Sequence, residues 1–273
     1  MHRLAEEIEM AEFSSVWSYW KFAHAVRREW RFTRNAEQTA FLEAVLATSE
    51  RRREVLPAGS LVFRAQLGCE WPADAEEEAE DPGPRPFPPA RMKPLSDRAS
   101  EGRVNPRGIP CLYTATHAET AAAEVRPWIG AYVSVAQMKI VRDITVVNCT
   151  SDDKRNMIYL KEPSPAEREI AVWRDIDRAF AQPVDRDDQL AEYVPTQVIA
   201  EMFRGQGLDG VAYRSSLGDG HNIALFDLDA AVVINYTVHE VREIRFDVPE
   251  VANRRYVREH YPQLTQNGDS ADL

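Results

Sequence analysis

The chain is poor in cysteine: Cys69, Cys111 and Cys149 are the only three in 273 residues. They are odd in number and far apart, with no CxxC pair and no histidine pattern beside them, so neither a disulfide framework nor a zinc site is indicated. A basic excess is also missing. The 33 basic against 44 acidic residues leave a formal net charge of -11, which argues against direct nucleic-acid binding or an anionic membrane surface as the main partner. No apolar run approaches the ~20 residues that span a bilayer. The start Met1-His2-Arg3-Leu4-Ala5-Glu6-Glu7 lacks the basic-then-apolar order of a signal peptide, so a cytoplasmic protein is the expectation. Neither Gly-x-Gly-x-x-Gly nor a Walker motif occurs, which disfavours the two commonest nucleotide-binding loops. The Gly-x-Ser-x-Gly elbow of a hydrolase nucleophile is absent as well. His117, His221 and His239 have no ligand spacing, and no metal is expected.

What is present falls into two unequal parts. Residues 1–56 contain no glycine and carry Trp17, Trp20, Phe22, Trp30, Phe32, Phe41, Leu42 and Val45 among many charges. This composition predicts an N-terminal helical extension whose tryptophans pack in a core or between domains. Pro57-Ala58-Gly59 breaks it, and Leu61 to Gln66 opens what reads as the first strand. The main domain is expected over 57–250, with a C-terminal tail over 251–273. Within it, residues 70–94 read as a mobile surface insertion: Glu76, Glu77, Glu78, Glu80 and Asp81 precede five prolines between Pro82 and Pro89, and proline supplies no ladder donor.

Strands follow at 131–135 and 140–147, where branched residues gather. Ser164-Pro165-Ala166-Glu167 predicts a capped helix start with Ile170, Trp173, Ile176 and Phe180 as its buried face. A second helix is expected from about Pro195 to Arg204, closing near Gly205 or Gly207. Short strands around Val211–Tyr213 and Ile223–Phe226 flank a glycine-containing loop, and one or two more lie within 232–248. The fold class is α+β.

Candidate chemistry concentrates in Gly102-Arg103-Val104-Asn105-Pro106 through Tyr113 to Glu124-Val125-Arg126-Pro127. Arg64 stands in an apolar strand, where its permanent charge either points to solvent or pairs with an anion. Thr116-His117-Ala118-Glu119 reads as a capping box for a helix that Pro127 stops. Glu124 then falls in the last turn, against the negative end of the helix dipole. A carboxylate there answers either to Arg126 as a structural partner or to a positive reaction centre. Tyr113 is a core tyrosine or a cleft wall, and Ser215 and Ser216 are compatible with turn chemistry alone.

Together these pieces resemble the RES domain, the toxin component of bacterial RES-Xre toxin-antitoxin pairs. They are Phe63-Arg64-Ala65, Gly102 to Pro106 with Gly108 to Tyr113, Ala123 to Pro127, Thr196-Gln197, and Asp209 to Ser216 ending at Asn222 to Phe226. Val104 departs from the family, where an aromatic residue is commoner, and the acidic insertion is a second departure. The resemblance implies an ADP-ribosyltransferase-like mixed sheet domain that destroys NAD by phosphorolysis or hydrolysis of the nicotinamide glycosidic bond. NAD is then substrate and inorganic phosphate a candidate co-substrate. It also implies Arg64, Tyr113, Glu124 and Ser215 as the catalytic set, with Arg103, Asn105, Arg126 and Asn222 binding the dinucleotide. A phosphate socket would be completed by Arg126 or Arg214. An Xre-type antitoxin is the implied protein partner, and a homodimer is allowed. The alternatives are an ADP-ribosyltransferase acting on a macromolecule and a module that binds NAD or a partner without turnover.

Overall fold

The computed structural model describes residues 12–71, 83–95, 99–152, 161–182, 190–245 and 247–251. Two helices come first, α1 (Ser18–Arg28) and α2 (Ala36–Ser49). Strands β1 (Arg53–Leu56), β2 (Leu61–Leu67) and β3 (Leu112–Ala115) lead to the short helix α3 (Ala118–Glu124). Next come β4 (Tyr132–Ile140), β5 (Ile144–Asn148), α4 (Pro165–Ala181) and α5 (Val194–Gly205). Strands β6 (Gly210–Arg214), β7 (His221–Leu225) and β8 (Ala231–Glu240) close the sheet. All eight strands form one sheet in the order β1-β5-β6-β7-β3-β2-β4-β8. Only β5 and β6 pair in parallel, so the architecture is α+β with a mixed sheet and N-terminal helices.

Strand alternation sorts the side chains into two layers. Val147, Val211, Tyr213 and Ala224 face one way and join the cluster formed with α1, α2, α4 and α5. Their strand neighbours Val146, Ala212, Ile223 and Leu225 face the other way, with Met138, Ile140, Phe87 and Met92. A third, smaller cluster of Ala65, Ala115, Ala121, Val133 and Val135 seats α3 on β2, β3 and β4. The pairing of β2 with β3 is confined to Phe63 and Ala115, although β2 pairs with β4 along its whole length. The two strands therefore part beyond that point.

Several expectations meet the structure at particular residues. Strand β1 lies inside the stretch read as helical; its residues 53–56 pair with β5 at 144–147, a contact that no local pattern encodes. The tryptophans expected in a core lie outside it: Trp17, Trp20 and Trp30 are 63%, 41% and 58% exposed, Trp20 meeting Tyr19 edge-on. The buried face of α1 is Tyr19, Phe22, Ala23 and Val26, the i, i+3, i+4, i+7 stripe of an amphipathic helix, and Trp17 and Trp20 lie off its phase. These helices share their core with Trp173, Phe180 and Tyr213. They are built into the sheet domain.

Ser164 caps α4 as expected, its hydroxyl accepting from the Glu167 amide at 3.3 Å while Glu167 returns to the Ser164 amide at 2.8 Å. Ile170, assigned to the buried face, is exposed, and Val172 takes its place beside Trp173, Ile176 and Phe180. Helix α5 ends as expected, with Gly207 at φ 77° just beyond it. Of the segment 70–94, residues 72–82 lie outside the described residues. Its proline-rich part is no free loop: Phe87 and Met92 are buried against the sheet, and Glu70 bridges Arg85. The stretch from Glu243 onward is a separate unit. Among the described residues no helix is long and apolar enough to cross a membrane.

Candidate active site

Where β2 and β3 part, a cleft of about 510 Å³ opens, lined among others by Arg64, Arg103, Tyr113, Glu124, Arg126 and Asn222. Its size suits a small-molecule site. A larger hollow of about 620 Å³ beside α1 and α2 contains none of these residues.

Glu124 is the last residue of α3. Its Oε1 accepts hydrogen bonds from the Ser215 hydroxyl at 2.8 Å and from the Asn222 amide at 2.6 Å. Its Oε2 lies 3.9 Å from the Arg103 guanidinium. One oxygen is thus fixed by two neutral donors while the other remains an acceptor toward the cleft. Ser215 in turn accepts the amides of Leu217 and Gly218 at 3.1 and 3.2 Å. That hydroxyl is an aiming device for the carboxylate, tied to the turn that carries it. Asn222 reaches the same oxygen from β7, opposite Ala115 of β3.

The capping box read at Thr116 does not form. His117 is the N-cap of α3 and makes no side-chain cap bond, while the Thr116 hydroxyl accepts the His221 amide at 3.1 Å. The strand pairing claims the hydroxyl first. Past the C-terminus, Arg126 adopts φ 49°, the only described non-glycine residue at positive φ. Its amide donates to the Ala123 carbonyl at 2.9 Å, the closure that glycine usually provides.

Arg64 takes neither course left open by the sequence: it is mostly buried and has no anion beside it among the described residues. Its Nη1 donates to the Tyr113 carbonyl at 2.8 Å, and its Nε is shut from solvent without a partner. No carboxylate pairs with it among the described residues, and burial pulls its pKa down from the ordinary arginine value. A guanidinium buried without a counter-ion carries a desolvation cost that a nearby anion would offset. Tyr113 presents its ring to the cleft while its hydroxyl is occupied: it donates to Asn105 Oδ1 at 2.7 Å and accepts the Val104 amide at 3.0 Å. Burial raises its pKa well above the usual phenol range.

The loop that carries Arg103 is held from several sides. Asn105 spends its amide on the carbonyls of Ser100 and Ile109 at 2.9 and 2.7 Å, so it shapes the loop and offers no free group. A side chain at Gly102 would strike the Tyr113 hydroxyl, which fixes glycine there. From α5, the Thr196 hydroxyl lies 2.6 Å from the Arg103 carbonyl, and Gln197 Nε2 donates to the Gly102 carbonyl at 2.8 Å. These two helix residues matched the family pattern without an assigned task. Tyr213, inside the matched Asp209 to Ser216 piece but given no role there, and Tyr193, which no motif had marked, also line the cleft. The Tyr213 ring stands 5.8 Å from the Arg103 guanidinium. Arg214 is unavailable as a phosphate ligand, because its guanidinium is bound to Asp177 and to the Ser151 carbonyl. Among the described residues no cluster of ligating side chains could hold a metal ion.

A comparison with curated proteins finds no match. Among solved structures the chain is similar to one in the crystal structure of the M. tuberculosis MbcT-MbcA toxin-antitoxin complex. The two are 16% identical with a TM-score of 0.39, over 70% of this chain and 90% of that one. A model of the RES domain matches residues 82–248. That span is more than half of the chain and takes in Arg103, Tyr113, Glu124, Arg126, Ser215 and Asn222; the chain belongs to the RES domain family.

Proposed function

We propose that the protein is a cytoplasmic NAD-degrading enzyme of the toxin type, which cleaves the bond between nicotinamide and ribose. At the level of the family, RES domains are NAD-processing toxins of toxin-antitoxin pairs. The observation that carries the reading here is Glu124, held at one oxygen by Ser215 and Asn222 with its other oxygen 3.9 Å from the Arg103 guanidinium, in a cleft that also holds the Arg64 cation, which has no carboxylate partner among the described residues.

The chemistry fits these groups. Nicotinamide leaves as a neutral molecule from a cationic glycosidic nitrogen, so its departure needs no proton donor, unlike ordinary glycoside cleavage. Positive charge grows on the ribose instead. The second oxygen of Glu124, which no hydrogen-bond donor fixes, stabilises that charge and accepts from a ribose hydroxyl, an effect that is strongest where water is excluded. Ser215 and Asn222 keep the carboxylate aimed, so little reorganisation accompanies the step. Arg64 and Arg103 bind the pyrophosphate through planar guanidinium forks, and the Tyr113 ring stacks on nicotinamide. The acceptor then bonds to the ribose C1 carbon. With inorganic phosphate the product is ADP-ribose 1-phosphate; with water it is ADP-ribose and a proton. Arg126 at the cleft rim completes the phosphate socket in the first case, since Arg214 is already paired.

The assay is incubation of the purified protein with NAD, with and without inorganic phosphate, followed by mass analysis of the products. Nicotinamide release is the expected result, and the product mass separates phosphorolysis from hydrolysis. Label transferred to a protein or nucleic acid would make it a transferase. Binding of NAD without release would leave a silent module, and no effect on NAD in any form would sink the proposal. An Xre-type antitoxin encoded beside the gene is the expected protein partner.

A further inference from the structure

The N-terminal helices reach the cleft through one ion pair. Arg27 of α1 bonds to the Glu192 carboxylate at 2.8 Å and approaches its carbonyl at 3.4 Å. Both side chains are mostly buried, at 18% and 31% exposure. Beneath them lies Tyr19, whose hydroxyl is buried without a partner and whose pKa burial raises beyond the ordinary phenol value. Glu192 belongs to the 3-10 turn Leu190–Tyr193 that precedes α5. The next residue, Tyr193, lines the cleft.

Tyr193 is held from its other side as well. Thr196 Oγ1 lies 2.9 Å from the Tyr193 carbonyl and 2.6 Å from the Arg103 carbonyl, which couples that residue to the cationic loop. The same loop is joined to Tyr113 through the Val104 amide. The main chain at Arg103 and Val104 is therefore tied to two aromatic wall residues, Tyr113 from β3 and Tyr193 from the turn before α5. A dinucleotide carries the same set of partners, two flat rings and a pyrophosphate, and the cleft is lined by both tyrosines and by Arg64 and Arg103. Tyr113 stands on the strand whose register partner β7 carries Asn222, a ligand of Glu124. The bond-breaking end of the cleft is on that side.

We propose that Tyr193 is the stacking wall for the adenine ring, and that α1 is a positioning element for it through Arg27 and Glu192. The inference rests on NAD being the ligand and assigns its distal half. It gives the N-terminal helices a task in substrate affinity: they hold one wall of the cleft while the sheet and α3 hold the reacting groups. Base stacking on an aromatic side chain changes affinity by about tenfold.

The test is calorimetric binding in the full chain carrying Glu124→Gln, so that the ligand survives the titration. Three probes are used: NAD, ADP-ribose, which lacks nicotinamide, and nicotinamide mononucleotide, which lacks the adenosine half. Adding Tyr193→Ala should raise Kd about tenfold for NAD and for ADP-ribose and leave nicotinamide mononucleotide unchanged. Tyr193→Phe, which keeps the ring, should bind all three like the parent. Arg27→Met should show the same ligand pattern in weaker form, about threefold, and Glu192→Gln, which keeps a hydrogen bond to Arg27, should lose less. Equal weakening of all three probes by Tyr193→Ala, or of none, overturns the assignment. A parent that binds none of the three removes the NAD reading itself, a result distinct from binding that ignores Tyr193.

Discussion

Replacing Arg126 by glycine should make the protein more stable and less active. An L-residue in the left-handed region carries a strain of about 1–2 kcal/mol, and Arg126 sits there at φ 49°. Glycine removes that strain but gains freedom in the unfolded chain, which offsets about 0.5–1 kcal/mol. The side chain is exposed and makes no ion pair among the described residues, so its removal subtracts little else. The net expectation is a stabilisation of about 0.5–1 kcal/mol, or a Tm about 1–4 °C higher for a domain of this size. Turnover should move the opposite way. A charge-assisted contact to phosphate is worth about 1.5–3 kcal/mol when sheltered, and less at an open rim. We expect KM for NAD, or for phosphate, to rise about fivefold. Arg126→Ala separates the two effects: it should lose the same affinity without gaining stability, because alanine keeps the strained backbone. Thermal melts and steady-state kinetics on both variants decide the matter. A lower Tm for Arg126→Gly than for Arg126→Ala would refute the strain argument, and an unchanged KM in both would remove Arg126 from the cleft's cationic rim.

Glu124→Gln should lower kcat at least about a hundredfold, the scale of losing one electrostatic group aimed at a transition state, while the Kd for NAD stays within a few-fold; equal loss in both would make Glu124 a binding residue. Trp173 is fully buried, donates to Thr48 Oγ1 at 3.0 Å and stacks under Arg52 at 4.3 Å. Trp173→Ala should therefore destabilise by about 3–5 kcal/mol, read as the shift of a urea midpoint; a shift below about 1 kcal/mol would show that this core does not bind α2 to α4. Burial raises the pKa of Asp175, so its ionised form is disfavoured in the folded state. A raised acid binds more protons folded than unfolded, and its ionisation weakens the fold as pH climbs past its unfolded value. Asp175→Asn should thus be more stable than the parent at pH 7, with the difference closing as pH falls below the unfolded carboxylate range; a gap that is constant with pH would exclude the titration as its cause.

The parts of the fold that could be read in advance are those whose signal is local. Ser164 and Glu167 cap α4 with their own side chains, and the short apolar runs of β6 and β7 are recognisable within the strands themselves. What escaped depends on partners far along the chain. Strand β1 has the charged sequence Arg53-Glu54-Val55-Leu56 and becomes a strand because β5 pairs with it. Arg214 looked like a free cation beside Ser215 and is neutralised by Asp177 of α4. Arg126 and Glu124 looked like partners two residues apart, yet the carboxylate turns to Ser215 and Asn222 while the arginine bends into a left-handed cap. The exposed tryptophans of the N-terminal helices show the same limit from another side, because aromatic content predicts burial only when its phase follows the helix stripe.

This division has a physical cause that bears on the cleft itself. Residues chosen by local structure repeat with the period of the element, whereas site residues violate it, and the violations are what made the site visible. Arg64 breaks an apolar strand, Glu124 opposes a helix dipole, and a polar loop at Gly102 to Asn105 is buried rather than solvated, with Arg103 and Asn105 only 8% and 4% exposed. Each exception is uneconomical for the element that carries it and is stabilised by a distant one: the Tyr113 carbonyl for Arg64, Ser215 and Asn222 for Glu124, and Thr196 with Gln197 for the loop. Tyr193 broke no local rule and so carried no signal. Its backbone is held by Thr196 of α5, and its neighbour Glu192 by Arg27 of the N-terminal helix. A wall residue that obeys its own element is invisible until the tertiary contacts that aim it are known.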